Sequence, residues 1–222
     1  MELSTEVQLL QAPSFQILET LLYTPESGEV YCLLHRRIHP NTRRAPFSVH
    51  NKTSAAMKRC VRLLFDGKSV ELQALPFVPW TAPQLQDLEV VLDTQPVCSR
   101  DVFLRFKTTH RTTYNEARAR ASIGGGKAFD VVLYNERGEI TETSICNLAV
   151  ENDAGELVTP PVSCGLLAGV QRSELLVAGT ITEGLVLLSD LQAAAKADRR
   201  ILCFNSARGV FAVKLVEGTT ST

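Results

Sequence analysis

The 222-residue sequence has no excess of either charge, no long apolar run and no cysteine pattern, and each absence removes a class of function. With 23 Lys and Arg against 24 Asp and Glu, the formal net charge is -1. No long-range field gathers nucleic acid or an anionic membrane surface, so binding falls to a local site for a small molecule. No stretch approaches the roughly 18 apolar residues of a membrane span. Met1–Gln11 carries Glu2 and Glu6 with no basic n-region, which points to a cytoplasmic protein. The six cysteines (Cys32, Cys60, Cys98, Cys146, Cys164, Cys203) include no C-x-x-C pair and no histidine at zinc-finger spacing. Neither a metal site nor a disulfide framework is expected, and the cysteines read as buried small hydrophobes.

What is present, 45% hydrophobic and 21% charged residues, suits a globular chain. Phe15–Thr24 and Val30–Leu34 flank a Pro-Glu-Ser-Gly-Glu turn and read as a hairpin. Met57, Val61, Leu64 and Phe65 stand at helical spacing. Three prolines between Pro76 and Gln84 surround Trp80 and resist helix and central strand alike, which sets a domain boundary there. The expected division is a small domain over 1–78, a Pro-rich linker over 79–86 and a larger domain over 87–222. Beyond the linker the pattern predicts a strand at Leu88–Asp93 and a second at Asp101–Lys107 running into a helix over Thr108–Arg120. Gly124–Gly126 stops that helix. A meander follows at Phe129–Tyr134, Glu139–Val150 and Glu156–Thr159, with turns at Asn135–Gly138 and Asn152–Gly155. The last third reads as a helix over about Gly169–Ala178, a strand near Gly184–Leu188, a helix at Leu191–Ala197 and strands Arg200–Phe204 and Val210–Leu215.

Three local features could carry chemistry. Lys107, between a hydrophobic strand and the hydroxyls of Thr108 and Thr109, could be partly desolvated, although a solvated strand-end lysine is the commoner reading of such a residue. Glu142 interrupts the β-branched run Ile140–Ile145, where a central carboxylate is costly unless something pairs with it; an outward edge-strand acid reads equally well. Leu166–Arg172 is a turn opening a helix, and Gly169 would let the backbone approach an anion held by the first unpaired amides. Ser206 adds a hydroxyl in a late turn. Gly124-Gly125-Gly126 lacks the spacing of a nucleotide loop and reads as a helix stop.

The order and spacing of these segments resemble the fold-type IV pyridoxal-phosphate enzymes, the group of branched-chain aminotransferases, D-amino-acid transaminases and aminodeoxychorismate lyases. Lys107-Thr108-Thr109-His110-Arg111 is similar to the lyase-type K-T-T-x-R segment, whose lysine carries the cofactor as a Schiff base. Asn135–Leu148 resembles N-x-x-G-x-[IV]-[ST]-E-x-[ST]-x-x-N-[LI], whose glutamate, here Glu142, meets the pyridine nitrogen. Thr159-Pro160-Pro161 with Gly165–Gly169 looks like T-P-P…G-[IL]-L-x-G, which would set the amides of Val170 and Gln171 on the cofactor phosphate; Ser206 falls at the family's late phosphate-binding hydroxyl. Leu18–Leu22 is similar to the F-E-T-[LM] opening. The family's H-x-x-R-[LM] run is His35-Arg36-Arg37-Ile38 here, one residue short after the histidine, and places Arg37 on phosphate. Pro40–Pro46 departs from the usual helix, so a shortened or rebuilt small domain is expected.

The resemblance implies an α+β, two-domain fold with a small α/β domain and a larger β-rich pseudo-barrel domain, pyridoxal 5'-phosphate as cofactor, and a homodimer. It implies a lyase converting 4-amino-4-deoxychorismate to 4-aminobenzoate and pyruvate, with His110 and Arg111 suspected of holding substrate. The alternatives are a branched-chain or D-amino-acid aminotransferase of the same fold, or a cofactor-binding member without turnover.

Overall fold

The computed structural model describes residues 15–23, 59–77 and 88–217. These fall into two units. The smaller takes Pro13–Pro79 together with Lys107–His110, and the larger contains Trp80–Phe106 and the chain from Arg111 onward.

In the smaller unit, strands β1 (Ile17–Tyr23), β2 (Arg59–Phe65) and β3 (Val70–Pro76) form an antiparallel sheet in the order β1-β2-β3. The helix expected around Met57–Phe65 is therefore corrected, since Arg59–Phe65 is strand. Val61 and Leu64 lie on opposite faces of β2 and both are buried, so a strand covered on two sides mimics helical spacing. The second arm of the hairpin, Val30–Leu34, lies outside the described residues, as do Arg37 and Trp80. The segment Lys107–His110 runs beside the start of β1. Leu18 N donates to Lys107 O and Thr109 N to Gln16 O, both at 2.9 Å, and Thr108 bridges Ile17 antiparallel.

The larger unit is built on an eight-stranded sheet. Its strands are β4 (Glu89–Leu92), β5 (Asp130–Tyr134), β6 (Ile140–Thr143), β7 (Asn147–Glu151), β8 (Leu157–Thr159), β9 (Thr182–Glu183), β10 (Ile201–Asn205) and β11 (Gly209–Val216). Their order is β6-β5-β4-β11-β10-β7-β8-β9. Strands β6 and β7 stand at the two ends of a six-strand series, yet only Ser144–Cys146 separates them in the chain. Thr143 N donates to Cys146 O at 2.8 Å. Such a short link forces the sheet to curl until its first strand meets its sixth, which is the expected pseudo-barrel. The segment read as one strand, Glu139–Val150, is thus two strands at a corner.

Period-two alternation sends residues to two sides of this sheet. Val90, Val132, Leu148, Val150, Cys203 and Phe211 form one core on one face, closed by Leu191 and Ala194 of helix α4 (Leu188–Lys196). On the other face, Val91, Val131 and Leu133 pack with Tyr114 and Ala117 of helix α2 (Thr112–Arg120). Ala149 and Phe204 pack with Leu175 and Leu176 of helix α3 (Val170–Val177). Buried Asp93 pins α2 through a two-pronged pair with Arg120, at 2.9 and 2.7 Å, and buried Asp130 accepts from Arg118 at 3.2 Å.

Residues Asp101–Lys107 are not a strand. Val102–Arg105 is a one-turn helix, α1, whose N-cap Asp101 accepts from Phe103 N at 2.9 Å. An aspartate before a short apolar run is a cap signal, and the alternation of buried Val102 and Leu104 hid it. Lys107 therefore sits in an extended segment after a helical turn rather than at a strand-to-helix junction. The strand expected at Gly184–Leu188 is also displaced, with β9 at Thr182–Glu183 and Leu188 already starting α4. Of the cysteines, Cys146, Cys164 and Cys203 are buried as expected, whereas Cys98 is exposed. Among the described residues, no helix is long and apolar enough to cross a membrane.

Gly165 ends a single 3-10 turn at φ +92°, and a Cβ there would stand 2.7 Å from Ser99 Cα. Gly155, at φ +79°, would put a Cβ no closer than 4.0 Å to its nearest contact, Glu151 Oε1. Gly165→Ala is expected to cost about 2–3 kcal/mol, strain plus clash, and Gly155→Ala about 1 kcal/mol, strain alone. Urea-unfolding midpoints of the two variants check the order.

Candidate active site

Glu142 is the centre of the site in the larger unit. It lies on β6 at the corner where the sheet closes, and it is 4% exposed. Three donors from three separate elements converge on it. The Tyr114 hydroxyl of α2 donates to Oε1 at 2.6 Å, the Leu167 amide donates to Oε1 at 3.1 Å, and Asn147 Nδ2 of β7 donates to Oε2 at 2.9 Å. The outward edge-strand alternative is thereby set aside. Burial pushes the Glu142 carboxyl up to about 8, against the opposing pull of the Tyr114 hydroxyl, the Leu167 amide and Arg111.

Asn147 ties this carboxylate to the turn before α3. The same Nδ2 group donates to Leu167 O at 2.8 Å. Gly169 is the α3 N-cap, and a Cβ on it would fall 2.2 Å from Asn147 Oδ1. Only a residue without a side chain lets the turn lie this close to Asn147. Val170 and Gln171 open α3, where the first amides have no acceptor within the helix. Arg172 is buried in the same first turn, where it donates to Pro160 O at 2.8 Å and pairs with Glu183, fixing the Thr159-Pro160-Pro161 segment beneath the helix start.

Ser206 is exposed in the β10–β11 turn, one residue beyond Asn205. Asn205 Nδ2 donates to Ile145 O at 3.2 Å, and Phe204 stands opposite Asn147 in the ladder, so Ser206 shares the Asn147 end of the sheet. Arg111 precedes α2; its guanidinium stacks 4.7 Å above the Tyr114 ring and donates to Ser144 O at 2.5 Å. Glu142, Gly169, Val170, Gln171, Ser206 and Arg111 thus belong to one unit.

Lys107 and His110 belong to the other. Lys107 Nζ lies 3.5 Å from Glu19 Oε1, and its side chain is 36% exposed, so it is half-desolvated and faces a carboxylate of β1. Thr108 Oγ1 donates to His110 O at 3.2 Å. Arg37 lies outside the described residues.

The donor and acceptor set of the larger unit fits pyridoxal phosphate. Oε1 of Glu142 carries two donors and is full, while Oε2 carries one and keeps a lone pair. A buried carboxylate with one acceptor position left suits the N–H of a protonated pyridine ring. The start of α3 suits a phosphate dianion through amides and helix dipole together. Tyr114, Asn147 and the Leu167 amide were not singled out from sequence. The cost of burying Glu142 signalled that partners must exist, but their identity depends on the barrel closure.

The family model described as amino-transferase class IV matches residues 51–216. A candidate aminodeoxychorismate lyase of Schizosaccharomyces pombe is 36% identical over 145 residues, 64% of this chain and 57% of that protein. The aminodeoxychorismate lyase of Saccharomyces cerevisiae is 30% identical over 149 residues, 60% of this chain and 37% of that protein. The match therefore spans less than two thirds of either relative's length. Among solved structures, a candidate amino-acid aminotransferase from Mesorhizobium loti has a TM-score of 0.68 at 26% identity, covering 91% of this chain and 100% of that one.

Two outcomes follow, the first for the protein without added ligand. Because the folded-state value of Glu142 is raised from an ordinary 4.5 to about 8, its share of stability is full below 4.5 and is lost as pH rises through 8. Glu142→Gln should flatten this fall, read as the difference in urea midpoint between pH 5 and pH 9. Gly169→Ala must push Asn147 off both of its acceptors. It should weaken pyridoxal-phosphate binding by about tenfold or more, on the order of one lost hydrogen bond to a charged group, measured by absorbance titration.

Proposed function

The chain belongs to the amino-transferase class IV family, whose enzymes use pyridoxal phosphate, and from that premise we propose that it is a lyase converting 4-amino-4-deoxychorismate to 4-aminobenzoate and pyruvate. The observation that carries the reading is buried Glu142, held by three donors with one acceptor position left and joined through Asn147 to the turn that opens α3. The two yeast relatives named as aminodeoxychorismate lyases supply the choice of reaction.

Bound pyridoxal phosphate supplies an aldehyde that joins to amines and a ring that draws electrons from the carbon bearing that amine. Lys107 would be the amine that holds it. Glu142 would hold a proton at the ring nitrogen by opposing its positive charge with a buried carboxylate. The amides of Val170 and Gln171 bind the phosphate, with the Ser206 hydroxyl and Arg37 as further ligands. Lys107, once released by the substrate amine, would be the positioned base that takes the proton from the amine-bearing carbon. The C–O bond to the enolpyruvyl group then breaks, and the six-membered ring becomes aromatic. Lys107 returns its proton to the departing enolpyruvate, which leaves as pyruvate. Substrate and product atoms balance without water or an amino acceptor. We assign His110 and Arg111 to substrate binding and propose a cytoplasmic homodimer as the assembly.

A second reading is an aminotransferase acting on branched-chain or D-amino acids, favoured by the likeness to the Mesorhizobium loti protein. It shares the roles of Lys107 and Glu142 but requires a keto acid to complete each cycle. The run Lys107-Thr108-Thr109-His110-Arg111 favours the lyase.

Purified protein with pyridoxal phosphate and aminodeoxychorismate should release pyruvate and 4-aminobenzoate in equal amounts with no amino acceptor; turnover that stops without a keto acid would establish the aminotransferase instead. Borohydride treatment should fix the cofactor mass on the peptide containing Lys107, and Lys107→Ala should lose both that adduct and all activity. Glu142→Ala should keep the adduct while kcat falls by about 100-fold or more, because charge stabilisation is lost and the covalent attachment is not. Full activity in Lys107→Ala would refute its assigned role.

A further inference from the structure

The two oxygens of Glu142 are not equivalent, and Tyr114 makes the difference. Its hydroxyl is the shortest contact the carboxylate makes, and it fills the second acceptor position of Oε1 beside the Leu167 amide. Tyr114 is itself 7% exposed and clamped. Its ring packs with Leu133, Ala117 and Val131 on one side of the sheet, and Arg111 covers it from the residue before α2. Arg118 and Arg120, further along α2, anchor that helix to Asp130 and Asp93, so the position of the hydroxyl is set by a rigid element. Burial and the neighbouring carboxylate push the Tyr114 phenol well above its usual 10, so it remains a donor throughout the pH range in which proteins stay folded.

We infer that Tyr114 is a positioning residue for Glu142, its hydroxyl engaging Oε1 so that Oε2 is the oxygen presented to the ring nitrogen of the cofactor. This rests on the proposed cofactor reading. The competing possibility is that Tyr114 is core packing alone, with a hydroxyl that has no bearing on the charge of the carboxylate.

The electrostatic surroundings of Glu142 define the test. Tyr114 and Arg111 face it from α2 and the residue before it, Asp130 from β5, Cys146 from the β6–β7 corner, and Asn147 and the Leu167 amide complete the contacts. Of these, the Tyr114 hydroxyl, the Leu167 amide and Arg111 favour the anion, and Asp130 opposes it. Removing one donor to a buried carboxylate raises its pKa, whereas removing an inert hydroxyl does not.

The experiment is an infrared pH titration of the full-length chain, following the carbonyl stretch of a protonated buried carboxyl group. Glu142→Gln identifies the band by its loss. In the wild type the band should titrate near 8. In Tyr114→Phe, which keeps the ring and deletes one oxygen, the midpoint should rise by about one unit, the worth of a hydrogen bond to a charged group. Difluorotyrosine introduced at 114 keeps the shape and makes a stronger donor, so the midpoint should fall; this arm decides the matter if Tyr114→Phe does not fold. An unchanged midpoint in a folded variant overturns the positioning role. Saturating pyridoxal phosphate should abolish the wild-type band by holding Glu142 ionised against a protonated ring. If the cofactor leaves that band untouched, the cofactor reading itself fails. If the wild type responds while the variants titrate identically to it, only the role of Tyr114 falls.

Discussion

A carboxylate buried in a β-barrel corner has to be surrounded by donors, and this requirement organises the larger unit. An ionised group without partners costs several kcal/mol in such a place. Glu142 finds its partners on α2, on β7 and on the turn before α3, and no two of these are neighbours in sequence. They meet because the sheet curls until β6 reaches β7. The site and the barrel closure are therefore one structural fact. A substitution that loosened the Ser144–Cys146 corner would disturb the carboxylate as well as the core.

The donors do not neutralise Glu142; they orient it. Even with three hydrogen bonds, burial keeps its proton affinity high, which leaves the group sensitive to a positive partner. Pairing with a cationic ring nitrogen, as proposed for the cofactor, would relieve that cost, so part of the cofactor's binding free energy would come from the burial cost already present in the folded chain. This linkage explains why the residue can sit at a position that ordinary strand chemistry disfavours. It also assigns Asn147 a double task, since the side chain that steadies Oε2 also holds Leu167 O and thereby sets the approach of the turn opening α3.

Much of the larger unit was legible from local pattern. The turns at Asn135–Gly138 and Asn152–Gly155, strands β4, β5, β10 and β11, and helix α3 fall where turn residues and periodicity put them. The failures have specific causes. At Arg59–Phe65, burial of Val61 and Leu64 on opposite faces gave a strand the spacing of a helix. At Val102–Arg105, a four-residue helix was too short for periodicity to distinguish, and only its Asp101 cap could have revealed it. Within Glu139–Val150, the corner at Ser144–Cys146 carries no glycine or proline, so nothing local marks the break. Glu142 could be selected from sequence because it violated its surroundings. Tyr114 could not, because a tyrosine on the apolar face of a helix looks like any other core residue until its partner is placed opposite it.

The two reactions open to this chain place unequal demands on it. Both need an amine, a ring-nitrogen partner and a phosphate cradle, and none of these separates lyase from aminotransferase. The separation lies in what happens after the proton leaves carbon. A lyase substrate carries its own leaving group and gains an aromatic ring by expelling it, so the protein needs only a base that can take a proton and give it back. An aminotransferase must retain the amino group and admit a second substrate, which calls for a pocket built to hold two different acids in turn. Of the described residues, His110 and Arg111 are the ones proposed to hold substrate. Arg111 is already engaged with the Tyr114 ring and Ser144 O. A substrate carboxylate held by Arg111 would therefore be linked to the Glu142 network through one guanidinium, whichever reaction follows.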